Sequence, residues 1–419
     1  MRILVLGINY FPERTSVAPF TTGLCEHLAA EGHSVHVITT FPYYPEWRIW
    51  EGYRGRLTQK EERQGVAIRR VRHYIPGRAS SLLERLLHDF TFTIEAFAAG
   101  LAAGGCDVVY CSCPPPALAL AAYLLSRIRN VPYVIKLTDL ASDAALATGI
   151  LREGILVRCA QAMETFVYRR AAAVVCLCKD FCERLGRAGV EAERLPVIPD
   201  WGDTETIRPE PSDGSFRRAN GIGRERFVVL HTGNMGKKQD LRNVVRAATL
   251  SQTDPDLLWV IVGEGEERAL VENEIKNSGS NNVLLLPLQP AETLSQLYAA
   301  ADVLLLNQKA AVKGAVIPSK LLTYMAAGHP VLAAAHTDST ASRLVIEAGC
   351  GVVVKPEEPA SLAEGALRLR ADAPLRSAMG ANGRGYAERH YTKSRVLDSY
   401  DQFFASLLEA EPPRVVAAD

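Results

Sequence analysis

The sequence alternates between short apolar runs and helix-like stretches, and it does so in two blocks. In the first block the predicted strands are RILVLGI, HSVHVITT, CDVVYCS, VPYVIKLTD and AAAVVCLC. Continuous runs of valine, isoleucine and leucine are typical of parallel strands that are buried on both faces. Because helices separate these runs, the pattern predicts βαβ units with right-handed crossovers and a parallel sheet between layers of helices.

A proline-rich segment, LPVIPDWGDTETIRPEPSDGS, separates the two blocks. The strands predicted after it are RFVVLHTG, LLWVIVGEG, NVLLLPL, DVLLLNQ and PVLAAA. A chain of 419 residues is also too long for one hydrophobic core. We therefore predict two doubly wound α/β domains, over 1–200 and 224–385, with an interdomain linker over 201–223. A last helix over 386–419 is expected to pack back on the first domain. Ligands of such sheets bind at the carboxyl ends of the strands, which we expect to meet in a cleft between the domains.

Composition and charge exclude several classes of protein. Apolar residues make up 48% and charged residues 22% of the chain, which argues against a disordered or collagen-like protein. Basic and acidic residues both total 47, so bulk charge does not suggest a nucleic-acid partner. The start MRILVLGINY lacks the pattern of a secretory signal, and we find no uncharged apolar run of about 18 residues. We expect a cytoplasmic protein without a transmembrane helix, in which the nine cysteines are reduced and bind no metal.

Two neighbouring segments suggest contact with a phosphate-rich partner or a membrane. From Arg48 to Arg78 the chain carries nine basic and three acidic residues. SSLLERLLHDFTFTIEAFAAGLAAG follows, and it is either a core helix of the first domain or a helix that faces a membrane surface or an acceptor. Glu84, Asp89 and Glu95 argue against a helix that spans the membrane.

Glycines and lysines follow the first strand of the second block, in TGNMGKKQ. Gly233 and Gly236 let backbone N–H groups approach an anion, and Lys237 and Lys238 offer charge to phosphate oxygens. The P-loop pattern is absent, so a plain turn with solvated lysines is the alternative interpretation.

A second anion site is predicted where the helix of IPSKLLTYMAAG begins. Ser319 can cap this helix, and Lys320 adds a positive charge near its N-terminus. Together the two motifs predict a diphosphate site. GEGEER imitates a dinucleotide-binding fingerprint, but Arg268 replaces the third glycine, so we do not expect a dehydrogenase.

With these motifs the sequence resembles the family 4 glycosyltransferases of the GT-B fold, and within them the colanic acid (exopolysaccharide) biosynthesis glycosyltransferases. The resembling stretches, which span residues 1 to about 354, are GINYFPE, HLAAEGHSVHVITTFPYYPEW, CSCPPP, TDLASDAALATGI, TGNMGKKQ, VGEGEE and PSKLLTYMAAGHPVLA. The resemblance implies two Rossmann-like domains facing across a cleft. It also implies retaining transfer of a sugar from a UDP- or GDP-sugar, without metal or other cofactor, to a lipid-linked or glycan acceptor in cell-surface polysaccharide biosynthesis. We expect a polyprenyl-diphosphate-linked glycan as acceptor and a peripheral position at the inner face of the cell membrane.

The resemblance also implies roles for individual residues. The donor-binding set is Gly233, Asn234, Lys237, Lys238, Glu264, Leu288, Ser319, Lys320 and Thr323, in which Glu264 and Leu288 lie near the nucleobase. The catalytic set is Asp139, Lys238 and Lys320, and the acceptor side consists of Tyr10, Tyr43, Tyr44 and Asp139. From the residues alone, Asp139 could equally cap a helix.

The sequence departs from the family at one pair of positions. Many members carry two glutamates eight residues apart, and here Ala315 and Thr323 stand at those positions. Thr323 still offers a hydroxyl group. Two alternatives therefore remain: a nucleotide-sugar epimerase or hydrolase of the same fold, with Asp139 and Asp143 as candidate acids, or a non-catalytic nucleotide-sugar-binding subunit.

Overall fold

The computed structural model describes residues 1–77, 81–140, 154–212, 214–312 and 319–409. The chain forms two compact units. The first unit comprises Met1–Pro199 and Leu397–Asp419, and the second comprises Asp200–Val396. Each unit contains one sheet whose strands alternate with helices along the chain, so the prediction of an α/β protein with two Rossmann-like units is confirmed.

The first unit is built on a seven-stranded sheet in its described residues. Its strands are β1 (Arg2–Gly7), β2 (Ser34–Thr40), β3 (Thr58–Arg63), β4 (Val66–Val71), β5 (Val108–Cys113), β6 (Tyr133–Leu137) and β7 (Ala173–Cys176). Their order is β3-β4-β2-β1-β5-β6-β7, and the pair β3–β4 is antiparallel. The described helices are α1 (Ala18–Ala30), α2 (Leu82–Leu101), α3 (Pro116–Arg129), α4 (Ile155–Arg170) and α5 (Lys179–Arg187). The central strands are buried on both faces, as their apolar composition predicts.

The second unit has a six-stranded, fully parallel sheet in its described residues. Its strands are β8 (Phe227–Thr232), β9 (Leu257–Val262), β10 (Val283–Leu286), β11 (Val303–Asn307), β12 (Val331–Ala334) and β13 (Gly351–Val354). The described helices are α6 (Ser215–Ala219), α7 (Leu241–Leu250), α8 (Arg268–Ser278), α9 (Leu294–Ala299), α10 (Ser319–Ala327), α11 (Thr340–Glu347), α12 (Pro359–Ala371), α13 (Ala373–His390) and α14 (Lys393–Glu409), the last of which continues into the first unit. The strand order is β10-β9-β8-β11-β12-β13, so the direction of winding reverses between β8 and β11. Doubly wound sheets bind their ligands at this reversal.

The basic segment contains a hairpin, β3–β4, that the sequence analysis does not predict. Gln64 and Gly65 connect its strands, and both have positive φ angles, as a tight two-residue hairpin turn requires. Pairing with β2 buries Arg70 of β4, whose guanidinium donates hydrogen bonds to the Glu61 carboxylate and to the carbonyl of Thr40. Part of the basic run therefore holds the first unit together.

The prediction of a linker over 201–223 is wrong, because these residues belong to the second unit. Ile207, Phe216 and Ile222 are buried in its core. Prolines fix the local backbone of this segment, but its apolar side chains pack against the sheet. Residues 386–396, predicted as part of the last segment, also belong to the second unit.

The last helix, α14, contributes two aromatic side chains to the first unit. Tyr400 and Phe404 are buried, and the ring of Phe404 lies 6.0 Å from that of Tyr110. The carboxylate of Asp401 accepts a hydrogen bond from His27 Nε2 at 2.8 Å. Among the helices that the structure describes, none combines the length and the apolarity that a membrane crossing requires.

Replacing Arg217 with alanine is expected to destabilise the second unit. The Arg217 guanidinium donates to the carbonyls of Ala300 and Arg226 and pairs with Asp302 at 3.0 Å. Its loss leaves these buried acceptors unsatisfied, which costs about 2–4 kcal/mol. Thermal unfolding should show a melting temperature lower by about 5 °C or more. The exposed Arg224→Ala is the control and should change little. Equal melting of both variants would contradict the assignment of residues 201–223 to this unit.

Candidate functional site

The candidate site of the second unit lies at the carboxyl edge of its sheet, where β8 and β11 are neighbours. Gly233 follows β8, and Lys320 lies in the first turn of α10. A Cβ atom built on Gly233 would lie 3.6 Å from Lys320 Nζ, so the ammonium group lies directly beside the glycine backbone. The structure thus brings together one residue from each of the two predicted anion motifs.

Two glycine-containing loops pack against each other at this edge. Met235 N donates a hydrogen bond to the carbonyl of Glu264 at 2.8 Å. Gly263 and Gly265 have φ angles of 154° and 156°, and a Cβ at either residue would collide with the backbone of Gly233 or Met235. The two glycines of GEGEER therefore allow backbone contact between loops, which explains why the motif imitates a dinucleotide fingerprint.

Asn307 fixes the turn that carries the lysines of TGNMGKKQ. Its side-chain amide donates to the carbonyls of Gln239 at 2.7 Å and Asp240 at 3.0 Å, and Lys309 N donates to the carbonyl of Lys238 at 3.0 Å. Lys238 is half-buried at the carboxyl edge, whereas Lys237 and Asn234 are exposed. Asn307 is a functional candidate that sequence analysis missed, although an asparagine that ends the apolar strand DVLLLNQ was a usable signal.

Lys320 and His231 form a partly buried polar pair. His231 is fully buried in β8, and its Nε2 lies 3.3 Å from Lys320 Nζ. Burial lowers the pKa of Lys320 to about 7. Burial, and then the nearby Lys320 charge, hold the pKa of His231 well below its usual value. The imidazole is therefore neutral and can accept a hydrogen bond from the ammonium through Nε2.

This environment makes the charge of Lys320 responsive to an anion. A diphosphate beside Nζ favours the ammonium form and raises its pKa again. His231 was also missed by sequence analysis, and its signal was a single polar residue inside the otherwise apolar strand RFVVLHTG.

Helix α10 is attached to the sheet through Tyr324. Its hydroxyl accepts a hydrogen bond from Thr232 N at 3.1 Å and donates to the carbonyl of Leu305 at 3.3 Å. These bonds fix the helix against β8 and β11 and thereby position its first turn. Ser319 is exposed at the start of α10, and Thr323 is half-buried one turn later. Ala315, the other position of the missing glutamate pair, lies outside the described residues.

The two residues predicted near a nucleobase lie after β9 and β10. Glu264 is exposed, and its carboxylate lies 3.3 Å from the guanidinium of Arg268. Arg268 also donates to the carbonyls of Gly263 and Leu286, which ties the ends of these two strands together. Leu288 is exposed on the adjoining loop. Both predicted residues therefore belong to the same edge of the sheet as Gly233.

In the first unit, two of the three tyrosines predicted on the acceptor side are buried. Tyr10 is 1% and Tyr43 is 3% exposed, which is inconsistent with direct contact to an acceptor, whereas Tyr44 is half-buried. The buried Glu13 carboxylate accepts hydrogen bonds from the backbone N–H groups of Tyr43 and Tyr44, each at 2.8 Å, and from Asn9 Nδ2. Burial raises the pKa of Glu13, and these hydrogen bonds oppose the rise. Glu13 is thus a positioning residue that sequence analysis missed within GINYFPE.

Asp139 follows β6 and is half-buried. Just before it, the hydroxyl of Thr138 donates to the carbonyl of Cys113 at 2.7 Å, which fixes the start of this loop beside β5. Asp143, the second candidate acid, lies outside the described residues. In the part of the chain that the structure describes, no group of three or more His, Cys, Asp or Glu side chains is arranged to hold a metal ion.

Comparison with known proteins assigns both halves of the chain to glycosyltransferase families. Residues 15–201 match the model of the glycosyl transferase 4-like domain, and residues 213–386 match that of the glycosyl transferases group 1. The chain is 30% identical over 408 residues to the putative colanic acid biosynthesis glycosyl transferase WcaI of Escherichia coli, covering 96% of this chain and 98% of that protein. It is 26% identical over 292 residues to the α-D-kanosaminyltransferase of Streptomyces kanamyceticus, covering 67% and 72% of the two chains.

Solved structures share the fold at lower sequence identity. The sucrose-phosphate synthase of Thermosynechococcus elongatus superposes with a TM-score of 0.78 at 18% identity, over 98% of this chain and all of that one. Anabaena Alr3699/HepE, solved in complex with UDP-glucose, gives a TM-score of 0.70 at 18% identity, over 97% and 100%. These likenesses show that the chain has the GT-B fold.

The Lys320→Met variant is expected to melt at a higher temperature than the wild type, by about 3 °C or more at pH 6–7. The unfolded chain keeps Lys320 protonated up to about pH 10, whereas the folded chain releases the proton near pH 7. Wild-type stability therefore rises with pH through this residue between pH 7 and 10, and the advantage of the variant shrinks over that window. Melting curves from pH 6 to 10 measure this. Lys237→Met, at an exposed position, should show no such trend, and a constant or growing gap for Lys320→Met would contradict the prediction.

Proposed function

Since this chain belongs to the family 4 glycosyltransferases of the GT-B fold, we propose that it moves a sugar from a nucleoside diphosphate donor to a lipid-linked or glycan acceptor. The observation that carries the proposal is the ammonium of Lys320 beside the backbone of Gly233, at the edge where doubly wound sheets bind ligands. The relative WcaI supports a role in exopolysaccharide biosynthesis. Of the two predicted donors, a UDP-sugar and a GDP-sugar, the complex of HepE with UDP-glucose supports the UDP-sugar.

The proposed reaction is a front-face transfer that retains the anomeric configuration. The bond between the anomeric carbon and the β-phosphate oxygen breaks, and the oxygen of an acceptor hydroxyl bonds to that carbon. The hydroxyl proton passes to the departing nucleoside diphosphate, which leaves with the bonding electron pair. Negative charge grows on the β-phosphate during this step, so groups that stabilise the leaving diphosphate accelerate the transfer.

The residues of the second unit have distinct roles in this scheme. Lys238 and Lys320 neutralise the diphosphate, and the N-terminus of α10 with Ser319 adds N–H groups and a favourable dipole. The flexible backbone of Gly233 lets the phosphates approach closely. Glu264 and Leu288 contact the nucleobase. Thr323 stands at the position of one of the usual glutamates and offers its hydroxyl to the sugar. In the first unit Asp139 faces the reacting sugar.

Metal independence follows from these assignments, because two ammonium groups and a helix N-terminus supply the positive charge that a divalent cation would otherwise provide. Lys320 gains its proton as the donor binds, since the phosphates raise its pKa from about 7. The positive charge of Lys320 therefore forms as the negatively charged donor binds.

Release of nucleoside diphosphate separates this proposal from its two rivals. A glycosyltransferase releases it only in the presence of acceptor, an epimerase needs no acceptor, and a binding subunit releases none. We expect acceptor-dependent release that persists with excess EDTA and a product whose NMR coupling shows the donor's anomeric configuration. Loss of activity with EDTA that magnesium restores would contradict metal independence, and an inverted product would contradict retention.

Lys238→Ala and Lys320→Ala are each expected to lower kcat by about 100- to 1,000-fold, because each removes a group that stabilises the leaving diphosphate. Folding is checked by melting curves. Lys276→Ala, at an exposed position on α8, is the matched control and should retain normal turnover. Near-normal rates in both site variants would overturn the assignment of the diphosphate to this edge of the sheet.

A further inference from the structure

Helix α2 exposes the apolar side chains that a surface helix normally buries. Leu83, Leu86, Phe90 and Ile94 are 77%, 56%, 60% and 50% exposed. Their spacing of three and four residues places them in one stripe along the helix. The opposite face, which includes Phe92 and is otherwise made largely of small residues, is buried. A contiguous exposed apolar stripe marks a surface that contacts a partner or a membrane.

A pocket of about 730 Å³ adjoins this helix. Arg48, Arg54 and Arg72 line it together with the exposed Leu57, and α2 contributes Thr91 and Glu95. We call this cavity the arginine pocket. Its walls offer three guanidinium groups and one carboxylate among the described lining residues, so its charge favours an anion.

These arginines differ from Arg63 and Arg70 of the same basic segment. Arg70 is buried in its network with Glu61, and Arg63 pairs with Glu26 at 2.6 Å. In contrast, Arg48 and Arg72 are exposed, and neither forms an ion pair with a carboxylate in the described part of the chain. Arg78 lies outside the described residues. Arg48 and Arg72 therefore offer positive charge at the arginine pocket, while Arg56 and Lys60 are also exposed but do not line it.

His73 lies between the pocket and the interior of the first unit. It is one of the lining residues, and it is 7% exposed. Its Nε2 has no hydrogen-bond partner within the described residues, while its ring packs 4.7 Å from that of His88. The Nε2 atom of His88 is likewise buried without a partner in the described residues, so these two rings form the floor behind the pocket, and the arginines supply its charge.

We propose that the arginine pocket binds the phosphate of an anionic phospholipid while the apolar stripe of α2 enters the membrane interface. Helix α2 contributes to both the pocket and the stripe, so positive charge and apolar surface are neighbours, as binding to the phosphates and acyl chains of a bilayer requires. This docking deepens the proposed function and rests on it, because a lipid-linked acceptor lies at such a surface. The two proposals use separate units and can fail separately.

The test is sedimentation of the full chain with vesicles of phosphatidylcholine that contain phosphatidylglycerol, at low salt. We expect the wild type to bind these vesicles and to bind pure phosphatidylcholine at least tenfold more weakly. Arg48→Ala with Arg72→Ala should raise the lipid concentration for half-maximal binding by about 10- to 30-fold. Arg56→Ala with Lys60→Ala removes the same charge from exposed residues that do not line the pocket, and should change it less than threefold.

A second pair of variants tests the apolar stripe. Leu86→Ser with Phe90→Ser should abolish vesicle binding. Leu124→Ser with Ile128→Ser alters exposed apolar residues of α3 and serves as the matched control, which should bind normally. Melting curves verify that all variants fold.

Several outcomes would overturn the proposal. One is failure of the wild type to bind anionic vesicles. Another is an equal loss of vesicle binding in a pair of site variants and in its matched control pair. A thermal shift by inorganic phosphate that needs Arg48 and Arg72, without vesicle binding, would identify a soluble anion instead. A dimer in light scattering that Leu86→Ser with Phe90→Ser dissolves, again without vesicle binding, would identify a second copy of the chain as occupant.

Thermal shifts with UDP and GDP distinguish this proposal from the proposed function. The Arg48→Ala, Arg72→Ala variant should keep the nucleotide shift of the wild type, because both arginines lie outside the second unit. Vesicle binding without any nucleotide shift in the wild type would refute the proposed function alone, and the reverse result would refute membrane docking alone.

Discussion

The placement of the Lys320 ammonium beside the Gly233 backbone is the contact on which the chemistry of the second unit depends. Three separate features produce it. The strand order brings β8 and β11 together, the Tyr324 hydroxyl fixes α10 against both strands, and the contact between the loops after β8 and β9 sets the path of residues 233–235. That loop contact requires the absence of a Cβ at Gly263, which would strike Gly233. The proposed anion site is therefore a property of the whole sheet edge rather than of either motif alone.

This edge retains polar groups at a cost in stability. Burial disfavours the charged forms of both Lys320 and His231, and the nearby Lys320 charge further disfavours that of His231. Asn307 and Tyr324 are also buried near this edge, yet their hydrogen bonds to backbone groups are made, so they contribute rigidity without the same cost. The residues near this edge are therefore of two kinds: Asn307 and Tyr324 hold the site in shape, whereas Lys320 is a cation that the proposed anion would stabilise. A lysine that lowers the stability of the empty protein gains most from a bound anion.

Sequence reasoning predicted the parts of the fold that depend on strand composition and missed those that depend on tertiary pairing. Long apolar runs predicted the core strands and the α/β class. The hairpin β3–β4 was missed because its strands, TQKEER and VAIRRV, contain consecutive charged residues in place of a long apolar run, and only pairing with β2 shows that Arg70 points inward. The linker over 201–223 was wrong because proline content reports local backbone conformation and does not reveal that Phe216 reaches the core. In the site, Gly233 and Lys320 could be predicted from their motifs. His231 and Glu13 could not, since their roles arise from neighbours distant in sequence.

The apolar stripe of α2 is fixed in its outward orientation by the packing of the opposite face. Gly100 lies so close to Leu125 of α3 that an added Cβ would approach the leucine side chain to 2.5 Å. Small residues on this face, together with the buried Phe92, let the helix lie close against its neighbours. Rotation that buried Leu86 and Phe90 would bring large side chains into this narrow contact and expose Phe92. The shape of the core therefore opposes burial of the stripe, and the helix keeps these apolar side chains facing outward. A rigid apolar surface loses little conformational entropy when it enters an interface, so the packing that exposes these residues also favours the membrane docking proposed for this helix.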